Sequence, residues 1–217
     1  MSIPIVPAVI PNSAEEIKEL TKILRFSREL HLDLVDGVFV KNTSWPFNPS
    51  GDARMVKAHT DAFTLEVDLM VANPLPVAEE WIAAGADMLV FHIETITLEA
   101  FTRFTTHTSV SLGVSLHGAT PLEALFPYIA HADYIQLMGI YEIGSQGQPF
   151  DEAVLAKITV LKQQFPHKPI HVDGSVNKNT VLKLKQAGAN RLVCGSAIVK
   201  QPDPEAAYHE LRTLVNE

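Results

Sequence analysis

Four short stretches of the chain place ionisable side chains two positions apart inside otherwise apolar runs. They are His31 and Asp33 in Leu30-His31-Leu32-Asp33-Leu34, and Glu66 and Asp68 in Leu65-Glu66-Val67-Asp68-Leu69-Met70. His92 and Glu94 follow in Phe91-His92-Ile93-Glu94, then His171 and Asp173 in His171-Val172-Asp173. Side chains two apart on a strand share a face. As strands, these stretches turn acids and imidazoles to one side and leucine, valine and isoleucine to the other. Carboxylates and imidazoles are the groups that take and return protons near neutral pH and that hold cations. An isolated buried charge is so costly that acids on an inner face need partners or a metal. For any one residue, a strand-end cap or a local ion pair accounts for it as well. Four such pairs gathered on one rim are not expected of unrelated caps.

A second signal lies in the last quarter. Asp173-Gly174-Ser175 and Cys194-Gly195-Ser196-Ala197 each follow an apolar run. Glycines there let backbone amides approach an anion, and Ser196 can open a short helix whose N-terminus attracts negative charge. Simple turn glycines are the alternative. A third loop, Gly144-Ser145-Gln146-Gly147-Gln148, could complete the cup. Met70 and Met138 either belong to the core or line the site. His31 and His92, beside acids, are candidate ligands or orienters. His59, His107, His131, His167 and His209 fall in helices or connections, and His117 is ambiguous. Cys194 reads as a small buried hydrophobe.

The elements that must position these groups alternate along the whole chain. Strands are expected at 3–10, 30–35, 63–70, 88–93, 110–116, 134–138, 170–173 and 191–194. Helical patterns at 13–24, 76–84, 151–164 and 178–187 lie between them. Pro76 and Pro121 suit first turns, and Gly85 and Gly188 suit helix ends. Eight strands in 217 residues give a repeat of about 27, which fits a (β/α)8 TIM barrel, an α/β fold whose active sites occupy the C-terminal rim of the strands. A doubly wound open sheet is less suited, because no GxGxxG turn follows the first strand. No linker or composition break appears, so one domain over 1–217 is expected. The longest unassigned stretch, 36–52, either folds over the barrel mouth or packs as a connecting loop.

Composition narrows the function further. With 47% hydrophobic and 19% charged residues the chain can bury a sizeable core. A formal charge of −8 argues against nucleic acid or an anionic membrane as partner, though not against a small anionic substrate. No apolar run reaches about 18 residues, no signal-peptide pattern opens the chain, and the single cysteine makes no internal disulfide, so a cytoplasmic protein is expected.

Taken in chain order, several segments resemble the ribulose-phosphate 3-epimerases. They are His31-Leu32-Asp33-Leu34-Val35-Asp36-Gly37-Val38-Phe39-Val40, Asp68-Leu69-Met70-Val71, Gly85-Ala86-Asp87, Phe91-His92-Ile93-Glu94, Gly147-Gln148-Pro149-Phe150, Val172-Asp173-Gly174 and Gly195-Ser196-Ala197-Ile198. The first of these is highly specific; the glycine motifs are shared with other phosphate-binding barrels. The resemblance implies C3 epimerisation of a phosphorylated ketose: ribulose 5-phosphate, xylulose 5-phosphate or a hexulose 6-phosphate. Asp33 and Asp173 match the acid–base pair that works on opposite faces of the sugar. A divalent metal ion would be held by His31, Asp33, Asp68 and Asp173. Gly144, Gly147, Gly174, Ser175, Gly195 and Ser196 would hold the phosphate, with Met70, Met138 and His92 lining the site. A homo-oligomer is compatible with the resemblance.

The chain departs from the family in three places. Asp68 stands where the second metal histidine is usual, which leaves the ion open among Zn2+, Mn2+, Mg2+ and Fe2+ and tilts the site toward oxygen-seeking ones. Ala8 stands where a serine is usual. The 138–148 loop is one residue longer, with Gln146 in place of a glycine. Two rival readings remain: another sugar-phosphate isomerase, aldolase or decarboxylase, for which Lys41 is the available lysine, and a non-catalytic sugar-phosphate-binding relative.

Overall fold

The computed structural model describes residues 2–217. Eight parallel strands pair in sequence order and the last pairs with the first, closing a barrel. They are β1 (Ile5–Val9), β2 (Glu29–Val35), β3 (Thr64–Met70), β4 (Met88–His92), β5 (Ser111–Ser115), β6 (Tyr134–Met138), β7 (Ile170–Asp173) and β8 (Arg191–Cys194). The outer layer consists of α1 (Ala14–Ile23), α2 (Lys57–Thr60), α3 (Pro74–Ala83), α4 (Leu98–Thr105), α5 (Phe126–Ile129), α6 (Ala153–Gln164), α7 (Val181–Ala187), α8 (Ser196–Val199) and α9 (Pro204–Asn216). All eight expected strands are present. No helix of the described residues is long and apolar enough to cross a membrane.

Alternation along each strand divides two environments. Leu30, Leu32, Leu34, Leu65, Val67 and Leu69 face outward and are buried under helices, with Trp81 of α3 and Phe101 of α4 among the side chains that cover the barrel. Helix ends follow local chemistry. Ser13 caps α1 by accepting from Glu16 N, Asp203 caps α9 ahead of Pro204, and α7 stops at Gly188, whose φ of 112° is a conformation glycine adopts without strain. Pro74, rather than Pro76, occupies the first turn position of α3.

The lower rim of the barrel is fastened by a recurring device. Leu65 N donates to the Asp87 carboxylate at 2.8 Å while Asp87 N donates to Leu65 O at 2.9 Å. Asp133 and Leu112 repeat this pair, as do Asn190 and Ile170. In each case the polar residue just before one strand caps the start of the preceding strand and fixes the register of the two. These pairs fasten the barrel at the N-terminal ends of its strands.

The 36–52 stretch divides in two. Its second half packs as a connection: Trp45 is buried edge-on against Trp81, ring centroids 6.1 Å apart. Its first half reaches the mouth, with Phe39 5.4 Å from the His92 ring and Val40 packed with Val35, Met70, Met138, Ile140 and Ile143.

Replacing Asp87 with alanine removes one partner of the Leu65 amide without touching the rim. The expected loss is about 1–3 kcal/mol of stability in urea unfolding, with divalent-cation binding unchanged.

Candidate active site

The inner face of the barrel is polar across its middle, where such barrels are normally packed with aliphatic side chains. Glu66 on β3 lies at the centre and is fully buried. His31 Nδ1 donates to Glu66 Oε2 at 2.8 Å, Arg191 from β8 donates to the same oxygen, and His171 Nδ1 stands 3.7 Å from Oε1. Arg191 Nε also donates to Glu29 Oε2 at 3.0 Å, and Tyr134 stacks on His171 with ring centroids 4.2 Å apart. Burial alone would raise the Glu66 carboxyl. Arg191, with help from the two imidazoles, overrides it and holds Glu66 well below the usual carboxylate range. These contacts favour the anionic form of Glu66, and the bond to His31 Nδ1 fixes which nitrogen His31 presents. With Nδ1 engaged below, Nε2 faces the next layer, 3.2 Å from Asp33 Oδ1.

That next layer holds the acids. Asp33 and Asp68 sit side by side in the β2–β3 register. Asp173 closes the group from β7, three strands from β2 around the barrel. Each of His31, Asp33, Asp68 and Asp173 offers a ligand atom within 4.8 Å of the others. Asp68 is held by two neighbours: His92 Nε2 lies 3.0 Å from Oδ1, and Gln136 Nε2 donates to Oδ2 at 2.7 Å. Burial raises Asp33 and lifts Asp173 well above the ordinary range, and for Asp173 the charge of Asp33 adds to the effect. Burial would lower His31 and His92, but the facing carboxylates raise both. Three buried carboxylates facing one imidazole are a poor resting arrangement without positive charge and a good donor set for a hard divalent cation.

Above the acids opens a cavity of about 830 Å³. Asp33 and Asp173 form its floor with Met70, Met138 and Ile140. Gly144, Gly147, Gly174, Ser175, Gly195 and Ser196 stand on its walls. Ser175 has φ 51°, directly after Gly174 at φ 97°, so two consecutive left-handed residues shape the turn leaving β7. Its hydroxyl donates to Gln148 O, which ties this turn to the β6–α6 loop. Ser196 begins α8, as the sequence indicates.

The structure thus brings together His31, Asp33, Asp68 and Asp173, and separately the six glycine and serine positions. Two placements differ from expectation. His92 does not line the cavity; it is fully buried behind Asp68 and helps to hold it. Glu94 does not share the inner face with His92, because β4 ends at His92 and the chain turns. Glu94 is exposed and accepts from His117 N at 2.8 Å and from Thr120 Oγ1. Lys41 lies outside the main cavity. Cys194 is buried and its thiol is pushed up by burial, which leaves it unreactive. Sequence reasoning passed over Arg191, Gln136 and Tyr134. The available signal was period-two spacing in Tyr134-Ile135-Gln136-Leu137-Met138 and Arg191-Leu192-Val193.

The model of the Ribulose-phosphate 3 epimerase family matches residues 2–199. Over 190 residues the chain is 35% identical to a ribulose-phosphate 3-epimerase of Bacillus subtilis, covering 84% of this chain and 85% of that protein. Over 202 residues it is 30% identical to the cytoplasmic isoform of ribulose-phosphate 3-epimerase from Oryza sativa subsp. japonica, with 91% and 87% covered. Among solved structures, 3-hexulose-6-phosphate synthase from Salmonella typhimurium superposes with a TM-score of 0.71 at 15% identity, over 99% of this chain and 98% of that one; this likeness concerns the fold alone.

If Arg191 neutralises Glu66, Arg191→Met leaves a buried carboxylate without its strongest partner. Urea denaturation should show a loss of about 3–5 kcal/mol. The double variant Glu66→Gln with Arg191→Met should recover a large part of it, since the stranded charge is gone.

Proposed function

Since the chain belongs to the ribulose-phosphate 3-epimerase family, we propose that it is an isomerase that inverts C3 of a phosphorylated ketose, with Asp33 and Asp173 as the acid–base pair. The substrate is ribulose 5-phosphate (interconverted with xylulose 5-phosphate) or a hexulose 6-phosphate. The observation that carries this reading is the floor of the cavity. Two carboxylates enter it from strands three apart around the barrel, beneath a rim of glycine and serine turns.

Inversion next to a carbonyl needs two groups. One carboxylate takes the C3 proton, and its electron pair moves into a C2–C3 double bond as the C2 carbonyl oxygen gains charge. The other carboxyl delivers a proton to C3 from the opposite face, and the carbonyl reforms. A single acid could only return the proton to the side it came from. Met70, Met138 and Ile140 border the floor with surface that neither donates nor accepts protons, which keeps water from quenching the intermediate. The phosphate lies against the backbone amides of Gly174, Ser175, Gly195 and Ser196, with Gly144 and Gly147 completing the cup.

His31, Asp33, Asp68 and Asp173 would hold a divalent cation, and three carboxylates with one imidazole suit Mn2+ or Mg2+ better than Zn2+. When bound, it would supply fixed positive charge against the oxygens that become negative in the reaction. Glu66 and Gln136 serve this set by orienting His31 and Asp68. A Schiff-base lyase would need a lysine on the inner face, and no described lysine lies there. Lys178 and Lys200 stand at the outer part of the cavity, Lys178 paired with Glu210 at 2.6 Å.

The test is proton exchange. In deuterated water with Mn2+, Mg2+ or Zn2+ added, the protein should introduce deuterium at C3 of ribulose 5-phosphate or allulose 6-phosphate. Asp33→Asn and Asp173→Asn should each lower the rate by about 10²- to 10⁴-fold. No exchange with any of these metals and sugars would contradict the reading. Asp68→His should shift metal preference toward Zn2+, read by metal content after dialysis against equal concentrations of the ions.

A further inference from the structure

The 139–152 loop between β6 and α6 sends one side chain back across the barrel mouth. Gln146 Nε2 donates to the main-chain carbonyl of Ala8 on β1 at 3.2 Å. The amide lies directly against Gly195. A Cβ at that glycine would stand 2.6 Å from Gln146 Nε2 and 3.0 Å from its Cδ, so a residue larger than glycine at 195 would displace the amide. Gln146 lines the main cavity and also a second, polar cavity of about 680 Å³, so its side chain is part of the wall between them.

A primary amide carries two N–H groups and a carbonyl oxygen. One N–H is engaged by Ala8 O. The other, and the oxygen, make no hydrogen bond to the described residues. The nitrogen is packed against the turn that begins α8, where Gly195 and Ser196 present their backbone amides. Ala8 offers no polar side chain, and the Ser175 hydroxyl is taken by Gln148 O. Gln146 is therefore placed to add a side-chain donor to a cup otherwise made mainly of backbone.

We infer that Gln146 is a substrate-binding residue whose free N–H donates to the phosphate of the bound ketose phosphate. This rests on the phosphate cup assigned above. The tie to Ala8 O fixes the amide's orientation: a carbonyl neighbour can accept only from the nitrogen, so the nitrogen rather than the oxygen is directed to the Gly195–Ser196 turn. A reversed amide would set its oxygen against the Ala8 carbonyl and against the anion, and is disfavoured twice.

The variants are Gln146→Leu, which keeps bulk and loses the donor, and Gln146→Glu, which keeps shape and adds negative charge. Competitive inhibition by inorganic phosphate and by unphosphorylated ribulose, and direct calorimetric binding of inorganic phosphate, report affinity apart from turnover. For Gln146→Leu the expected result is a rise of about 10- to 100-fold in the KM for the sugar phosphate and in the phosphate dissociation constant. kcat should stay near wild type and ribulose inhibition should be unchanged. Gln146→Glu should weaken phosphate further. An equal loss for ribulose and phosphate would overturn the inference, because it would mark Gln146 as a loop anchor only. Unchanged phosphate affinity in both variants, or no phosphate binding by the wild type, would overturn it too. If the wild type binds phosphate yet exchanges no C3 proton, the epimerase reading fails, while the comparison of phosphate affinities still decides the role of Gln146.

Discussion

The Glu66–Arg191 ion pair inside the barrel is the interaction on which the rest of the site depends. A carboxylate with no solvent exposure is favoured as an anion chiefly because a guanidinium meets it, and that guanidinium is in turn shared with Glu29. Once Glu66 is fixed as an anion, His31 has one arrangement: Nδ1 down, Nε2 up. The acids of the layer above then surround a nitrogen whose direction is set from below. Arg191 starts β8, Glu66 sits on β3 and His171 on β7, so the network braces opposite walls of the barrel at the level just beneath Asp33, Asp68 and Asp173. The cost of burying these charges is met by their mutual contacts, and the return is a floor whose side chains have little freedom to rotate.

The rim is built differently, from loops tied to one another. The β6–α6 loop is held to β1 through Gln146 and Ala8 O, to the 36–52 segment through Asn42 Nδ2 and Gly144 O at 3.0 Å, and to the β7 turn through Ser175 and Gln148 O. Val40 packs beneath the same loop, beside Gly144. The result is a cavity with an acidic base and walls of glycine and serine turns, the pairing that the proposed ketose phosphate calls for: charge stabilisation at one end of the molecule and anion recognition at the other.

Much of this was legible in the sequence, because barrel strands follow a period-two rule that primary structure records faithfully. His31, Asp33, Glu66, Asp68, His171 and Asp173 could be assigned to the inner face by counting alone. The rule failed at Glu94, since a strand's end is set by where its neighbour stops pairing, and β4 pairs with β5 only as far as His92 and Ser115. It passed over Arg191 and Gln136 because a lone polar residue in a four- or five-residue strand carries little pattern. Their importance comes from which strands lie across the barrel, and that is a property of closure. Gly85 and Gly188 marked two of these turns as helix ends, but nothing in the sequence showed that the Asp87, Asp133 and Asn190 side chains reach back to the preceding strand. Likewise the 36–52 segment could not be divided into a buried half and a rim half without knowing that Trp81 waits beneath Trp45.

The proposed function requires that the polar core of this barrel organise His31, Asp33, Asp68 and Asp173 around one cation. Anomalous diffraction at the manganese edge, from crystals grown with Mn2+, measures this directly. A single strong peak is expected, bounded by those four side chains and next to His31 Nε2, with His31 Nδ1 still bonded to Glu66. No peak there, or a peak elsewhere in the barrel with the four side chains bonded only to one another, would contradict it.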